Sequence, residues 1–229
     1  MSAVAETISV TDKRLAGLTM PTGGWPDAAR KDALSRLQSM GLPNRRDEYW
    51  KYTRPDTLIQ AVPVPAALFD TEEVPVFDTV DRLKIVFVDG VFDAEASDDL
   101  SLSGVKIDRL ATADADIHWA RDVYGVLEAN GQKPVARSLA TLNTAFATDG
   151  VLIHVTGASI KPINMIYLHK SVTSDVILHH VIKVDAGASL TVLETGPAAA
   201  RLNNVMEVDI ADGAAFHHVR AQGRDHERR

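Results

Sequence analysis

Between Asp149 and Gln222 the sequence repeats one short pattern three times, as Gly157-Ala158-Ser159-Ile160, Gly187-Ala188-Ser189-Leu190 and Gly213-Ala214-Ala215-Phe216. The copies lie 30 and 26 residues apart, and each follows a run of β-prone residues, at 151–155, 176–184 and 205–210. A Gly-Ala pair suits a tight corner, because glycine tolerates positive φ and alanine fits where the chain is crowded. Corners that recur at this spacing between short strands are typical of a solenoid.

The intervals between the corners contain no helical pattern, which favours the coils of a β-helix over βαβ units. We therefore predict a mostly β protein with an N-terminal α/β region and a solenoid in its later part. A β-sandwich is the alternative fold, since its short strands and tight turns leave a similar pattern.

The composition is that of a soluble globular protein, with 45% hydrophobic and 24% charged residues. No apolar run approaches the roughly 20 residues that span a bilayer, and residues 1–12 lack the layout of a signal peptide. We therefore expect a cytoplasmic protein that does not enter a membrane. A net charge of −7 without a basic stripe argues against nucleic acid as a partner. The absence of cysteine excludes disulfides and thiolate metal ligands.

The N-terminal part of the chain predicts a helix followed by an irregular connection. Residues 26–40 suit a helix, because Pro26 fits its first turn and Gly41 with Pro43 ends it. Four prolines between residues 54 and 79 argue against regular structure, so we expect a connecting segment on the surface.

The middle of the chain predicts strands and then helices. Residues 83–88 are typical of a strand, Asp89-Gly90 of a tight turn before a return strand, and residues 105–110 of a further strand. Apolar residues at helical spacing predict two short helices, over 119–127 and 139–146. The chain therefore divides into three regions. Residues 1–80 form an N-terminal helical region and a connecting segment, and residues 81–148 form strands and two short helices that lead into the solenoid. Residues 149–229 form the first coils of the β-helix.

Residues 41–53 concentrate charge and aromatic rings more than any other part of the chain, with the sequence GLPNRRDEYWKYT. In one interpretation the rings pack, anchoring the N-terminal helices on the rest of the protein. In the other the segment is a docking surface, since Trp, Tyr and Arg dominate interface hot spots. The docking candidates are Arg46, Glu48, Trp50, Lys51 and Tyr52.

Two histidine pairs in predicted strands come closest to a metal-binding constellation, at His179-His180 and His217-His218. Adjacent side chains of a strand point to opposite faces, so His179 would point outward while His180 shares an inner face with Leu178, Ile182 and Val184. If coils stack, one histidine of each pair would approach the other, which makes all four candidate metal ligands. Hydrogen-bonded interior histidines and exposed outer ones are the alternative.

Carboxylates are paired at Asp114/Asp116 and at Glu207/Asp209. Strand spacing would place the second pair on one face, and two carboxylates are what glycoside hydrolysis requires. A β-helical glycan-active enzyme using Glu207 and Asp209 is therefore one alternative function, and a solvated outer face is the plainer interpretation. No phosphate-binding loop, dinucleotide fingerprint, zinc-protease helix or nucleophile elbow occurs in the sequence, which argues against a self-sufficient ATPase or a common hydrolase.

Residues 41–53 resemble the N-terminal signature of the SufB/SufD family of the Suf iron-sulfur cluster assembly system. The matching positions are Gly41, Leu42, Pro43, Arg46, Glu48, Trp50, Lys51, Tyr52 and Thr53. Residues 86–92 resemble the hairpin that follows in the family, and residues 142–163 the entry into its β-helix. The short N-terminal region and the absence of cysteine fit SufD better than SufB.

The resemblance implies a non-catalytic scaffold with an N-terminal helical region, a right-handed parallel β-helix and a C-terminal helical domain. It implies pairing with a SufB-like paralogue through the β-helices and binding of a SufC-like ATPase through the C-terminal domain. The iron-sulfur cluster would be held transiently by the full complex, so we expect no cofactor on this chain alone. The sequence stops about halfway through the family pattern, so we expect a truncated β-helix without the ATPase-binding part.

The resemblance assigns no cluster ligand here, because no position matches the histidine proposed for that role in the family. A second copy of the chain is a further candidate partner. An interaction platform unrelated to metal metabolism is the remaining alternative function.

Overall fold

The computed structural model of this protein describes residues 9–68, 76–112 and 118–221. The helices of this part are α1 (Val10–Ala16), α2 (Asp27–Met40), α3 (Asp56–Ile59), α4 (Val126–Asn130) and α5 (Ser138–Phe146). Its strands are β1 (Leu83–Val88), β2 (Val91–Asp93), β3 (Val105–Arg109), β4 (Val151–Val155), β5 (Ile163–Leu168), β6 (Asp175–Val184), β7 (Ser189–Thr195), β8 (Arg201–Ile210) and β9 (Ala215–Ala221). Within these ranges, no helix has the length and apolar character needed to cross a membrane.

The strands form two sheets, with the orders β2-β1-β5-β7-β9 and β3-β4-β6-β8. From β4 to β9 consecutive strands alternate between the sheets, and β4–β6, β5–β7, β6–β8 and β7–β9 all pair in parallel. The short strands β2 and β3 instead pair antiparallel, with β1 and β4. The parallel pairing differs from the antiparallel sheets of the sandwich alternative. The right-handed β-helix itself stays a prediction.

The three Gly-Ala corners lie on top of one another, each leading from one sheet to the other. The amide of Ser159 donates to the carbonyl of Ser189 at 2.9 Å, and the amide of Ala215 donates to the carbonyl of Ala188 at 3.0 Å. Gly187 and Gly213 adopt φ of +73° and +71°, as a tight glycine corner requires. The repeated tetrapeptides therefore mark equivalent places in the fold.

Two cores lie on opposite sides of the sheet that contains β4 and β6. Apolar side chains fill the space between the sheets, and they include Ile85, Phe87, Ile153, Val155, Ile163, Met165, Leu178, Ile182, Leu190 and Val192. Because side chains alternate along a strand, Leu152, Ile177 and Val181 face the other way, into a second core with residues of α2 and α5. The second core joins the N-terminal helical region to the parallel strands.

One predicted helix is divided in the structure. The apolar spacing over 119–127 predicted a single helix, but a 3-10 helix ends at Asp122 and α4 begins at Val126. Gly125 breaks the segment with φ of +74°, a conformation outside the right-handed helical region. Leu127, expected on the buried stripe, is 41% exposed. The other helix predictions are confirmed, since α2 ends at Met40 before Gly41 and α5 covers the second stripe.

Ion pairs fasten the N-terminal region to the start of β6. The Asp175 carboxylate accepts from Nη1 of Arg14 in α1 at 2.6 Å and from Nη2 of Arg201 in β8 at 2.7 Å. Nη1 of Arg201 also donates to the carbonyl of Gln60, just after α3, at 2.7 Å. Both arginines are buried, so the carboxylate supplies the negative charge that their burial requires. The helix α3 was not predicted, and it lies within the proline-rich connection.

Candidate functional site

His179 and His180 lie on opposite sides of β6, and both are completely buried. His180 faces the space between the sheets, on the same side as Leu178 and Ile182, as the alternation of the strand predicted. His179 points outward, away from that space, as predicted, but the solvent exposure expected of an outer histidine is wrong. Its ring lies 4.3 Å from that of Tyr124, under the segment that leads into α4. Strand periodicity predicts the side of a sheet but not whether helices cover it.

His180 begins a chain of hydrogen bonds inside the protein. The amide of Val151 donates to Nδ1 of His180 at 3.0 Å, so the ring proton is on Nε2. Nε2 then donates to the hydroxyl of Tyr167 at 3.0 Å, and this hydroxyl donates to Oε1 of Glu194 at 2.6 Å. The backbone thus determines the tautomer of the histidine, and the direction of each later bond follows from it.

Glu194 of β7 is the centre of this interior cluster, which consists of Tyr167, His180, Glu194, Asn204 and His218. Its carboxylate is 2% exposed, yet it accepts from Nδ2 of Asn204 at 3.1 Å and from Nε2 of His218 at 2.7 Å. The guanidinium of Arg220 lies 3.7 Å from the same carboxylate. The side chain of His218 is 34% exposed, so the cluster runs from the deep interior to the surface of β9. The carboxylate thereby links four strands directly, and the Tyr167–His180 bond extends the cluster to β6, so the cluster spans β5 to β9.

The surroundings of the cluster shift the pKa values of His180, Tyr167 and Glu194. Burial lowers the pKa of His180 to about 4, so the imidazole is neutral at neutral pH. Burial also raises the pKa of Tyr167, and the adjacent Glu194 charge adds to the shift. Burial would raise the pKa of Glu194, but hydrogen bonds from Tyr167 and His218 and the nearby positive charges hold it below its usual range. The interior cluster therefore holds the charged carboxylate of Glu194 together with the neutral imidazole of His180.

A second buried carboxylate joins α4 to the strands. Glu207 of β8 accepts from the amide of Gly125 at 2.5 Å, from the amide of Glu128 at 2.8 Å and from Nε2 of His179 at 2.8 Å. The carboxylate thus accepts from two of the amides that every helix leaves unpaired at its N-terminus. Nδ1 of His179 is buried and has no hydrogen-bond partner among the described residues. The pair fixes the start of α4 above β6 and β8.

The structure does not bring the four candidate metal ligands together. His179 and His180 face different cores, and the lone pair of His180 Nδ1 is engaged by Val151. His218 joins the interior cluster, whereas His217, the next residue along β9, is exposed. In residues 9–68, 76–112 and 118–221 there is no group of three or more His, Asp or Glu side chains that could hold a metal ion.

The carboxylates proposed for glycan cleavage do not share an open cleft. Glu207 is buried and engaged by Gly125, Glu128 and His179, whereas Asp209 is exposed two residues further along β8. A glycosidase needs both groups to reach the scissile bond, which this arrangement does not permit. The other pair, Asp114 and Asp116, lies outside the described residues.

The docking candidates lie together on the surface, around the 3-10 helix Glu48–Trp50. Tyr52 is 90% exposed, Trp50 is half-buried, and Arg46, Glu48 and Lys51 are exposed. The packing interpretation therefore does not apply to Tyr52. The ring that anchors the N-terminal region is instead that of Trp25, which stacks on His118 with the ring centroids 5.2 Å apart.

Residues 25–163 match the family described as the SufBD protein N-terminal region. This chain belongs to the SufB/SufD family. Membership places it in the Suf system of iron-sulfur cluster assembly, whose SufB and SufD proteins act within a protein complex. The comparison with curated proteins finds no match.

The SufB/SufD match covers the docking candidates but not the interior cluster. Residues 41–53 lie within 25–163, whereas Tyr167, Glu194 and His218 all follow that range. Tyr167 and Glu194 are also absent from the candidate site residues that the sequence indicated. A signal was present for Glu194, because it follows Leu190 and Val192 at alternate positions and so belongs to the buried face of β7. The sequence did not predict β7 as a strand, so the alternate spacing of these residues could not be assigned to one face of a sheet.

Proposed function

We propose that this chain is a non-catalytic scaffold subunit of the SufD type, acting with a SufB-like paralogue and a SufC-like ATPase. The observation that carries the proposal is the family match over residues 25–163. The absence of cysteine from these 229 residues favours SufD over SufB, since thiolate ligands would then come from the paralogue. In this role the iron-sulfur cluster is the cargo of the complex, and the site of assembly is the cytoplasm.

The scaffold role rests on a rigid solenoid, and we propose that β4 to β9 are coils of a right-handed parallel β-helix. In support, successive strands alternate between two sheets and pair in parallel with the strand two places on. The stacked Gly-Ala corners and the interior cluster around Glu194, which spans five strands, give such a solenoid stiffness. A stiff solenoid offers an extended surface for pairing with another subunit.

Affinity purification of the tagged full-length gene product from its own cells tests the scaffold proposal. We expect a SufC-like ATPase and a SufB-like paralogue to copurify in amounts comparable to the tagged protein, and neither to copurify from an untagged strain. Good recovery of the tagged protein at low salt with neither partner, or with only a second copy of itself, would overturn the proposal.

A growth experiment separates the scaffold from a platform outside metal metabolism. Cells that lack the gene should grow more slowly when iron or sulfur is limiting, and a copy of the gene should restore their growth. Growth that does not depend on iron or sulfur supply would favour the platform.

A further inference from the structure

Two tyrosines in residues 44–54 are exposed in a way that packing does not explain. Tyr49 is 66% exposed and Tyr52 is 90% exposed. Across the part of the chain that the structure describes, no other Phe, Tyr or Trp side chain is classed as exposed. Aromatic rings are costly to leave in water and are enriched at protein interfaces, where their large surface is buried.

The segment that carries these rings is held in place by its own hydrogen bonds. The amide and the side-chain nitrogen of Asn44 both donate to the carboxylate of Asp47, at 2.9 and 2.8 Å. The guanidinium of Arg45 pairs with Asp56 at the start of α3. Tyr49 lies within a 3-10 helix, Glu48–Trp50, and Tyr52 follows shortly after that helix ends. A surface that is ordered before it binds loses less conformational entropy on binding.

The same segment is cationic in an acidic chain. Residues 44–54 contain four basic and two acidic side chains, whereas the whole chain has a net charge of −7. Arg46, Lys51 and Arg54 are exposed and form no ion pair with any residue that the structure describes. The ammonium of Lys51 lies 5.4 Å from the centroid of the Tyr52 ring, so charge and ring are presented together.

From these features we infer that residues 44–54 are a docking surface for an acidic segment of another protein. The rings of Tyr49 and Tyr52 would cover aliphatic groups of the partner, while Arg46, Lys51 and Arg54 pair with its carboxylates. A short acidic protein segment is favoured over nucleic acid, because three cations can pair with a few carboxylates but neutralise few phosphates of a long polyanion, which the net charge of −7 repels more strongly. This inference does not require the partner to be a Suf protein.

Photo-cross-linking in living cells tests the docking surface. The full chain carries p-benzoylphenylalanine in place of Tyr52, and a control carries it in place of Val91, which is 69% exposed at the start of β2. We expect an adduct from position 52 alone, mapped by mass spectrometry to an Asp- and Glu-rich stretch of another protein. An adduct with this chain itself, with nucleic acid or with a basic stretch would overturn the inference, and so would equal or absent labelling at both positions.

Charge reversal then tests the cationic part of the surface with the purified cross-linked partner. Lys51→Glu should weaken binding about tenfold, and the difference should shrink in high salt. The matched control Lys31→Glu, on an exposed position of α2, should bind like the wild type. Equal binding by Lys51→Glu and Lys31→Glu would contradict the inference. A partner outside the Suf system would contradict the proposed function but leave the docking surface intact.

Discussion

Burial determines the charge of His180, and its neighbours determine where its one proton sits. The pKa of about 4 keeps the ring neutral at neutral pH, so it carries a single proton. Because the amide of Val151 donates to Nδ1, that proton is on Nε2, which donates to Tyr167. The negative charge of Glu194 is then met by donors from both sheets, namely Tyr167, Asn204 and His218. A buried carboxylate with this many donors stays ionised, which an isolated one would not.

The first prediction concerns His180 and acid. In the unfolded chain a histidine takes up a proton near pH 6.5, whereas buried His180 does so only near pH 4. Between these values the unfolded state binds more protons, so stability falls as the pH falls, by about 3 kcal/mol in total for this group. Replacement by Gln, which does not titrate, should remove that part of the pH dependence while lowering stability at pH 8.

Urea unfolding at a series of pH values between 8 and 4 measures the effect. The control His217→Gln replaces an exposed histidine of β9 and should follow the wild-type curve closely. An unchanged pH dependence in His180→Gln would show that the acid sensitivity of the protein arises elsewhere.

At the level of the element, the parallel pairing of β4 with β6 depends on a close approach of two backbones. A Cβ added to Gly150, just before β4, would lie 1.8 Å from the carbonyl oxygen of His179. The amide of His179 donates to the carbonyl of Asp149 at 3.0 Å, so the two strands are already in contact there. Only glycine fits at this point, because any side chain would occupy the space of the neighbouring strand.

The second prediction follows from this approach. Gly150→Ala should destabilise the protein by roughly 3 kcal/mol or more, since the clash is with backbone and cannot be relieved by a side-chain rotation. Gly157→Ala is the matched control, because a Cβ there meets no atom within 4 Å, and its effect should be within about 0.5 kcal/mol. Midpoints of urea unfolding measure both, and similar midpoints would contradict the prediction.

Over the whole molecule, residues far apart in the sequence hold the N-terminal region against the strands. Arg14 and Asp175 are separated by 161 residues, and their ion pair is joined by Arg201 from β8. Burial would raise the pKa of Asp175, but hydrogen bonds from Arg201 and Arg14 hold it below its usual range. The Asp175 carboxylate is therefore charged at neutral pH and balances the positive charges of the two buried arginines.

The third prediction is that Asp175→Asn loosens the N-terminal region. The substitution leaves two buried guanidinium groups without their counter-charge, and losses of about 2–4 kcal/mol are expected for breaking a largely buried pair. Limited proteolysis should cut residues 54–68 sooner than in the wild type, because Arg201 also holds the carbonyl of Gln60. The control is Asp212→Asn, which replaces an exposed carboxylate next to the third corner. Equal rates of cleavage in the two variants would show that Asp175 does not hold the N-terminal region in place.

Features encoded by neighbouring residues could be predicted from the sequence. They include the helix ended by Gly41, the strand β1 with its Asp89-Gly90 turn, and the strands that precede the Gly-Ala corners. Family membership also follows from such local motifs, and the match over residues 25–163 confirms it at the level of SufB/SufD. Each of these depends on backbone preference and side-chain spacing within a few residues.

The tertiary structure alone decided which of those segments meet. Nothing near His179 in the sequence indicates that Tyr124 and Glu207 enclose it, and nothing near Glu194 indicates its bonds to Tyr167 and His218. The pairing of sheets and helices sets these contacts, because a shift by one residue along a strand would turn each side chain to the other face. The sequence by itself determined the family and the elements with local signals, whereas α3, β7, burial, charge state and hydrogen-bond partners emerged only from the tertiary structure, because they depend on contacts between distant segments.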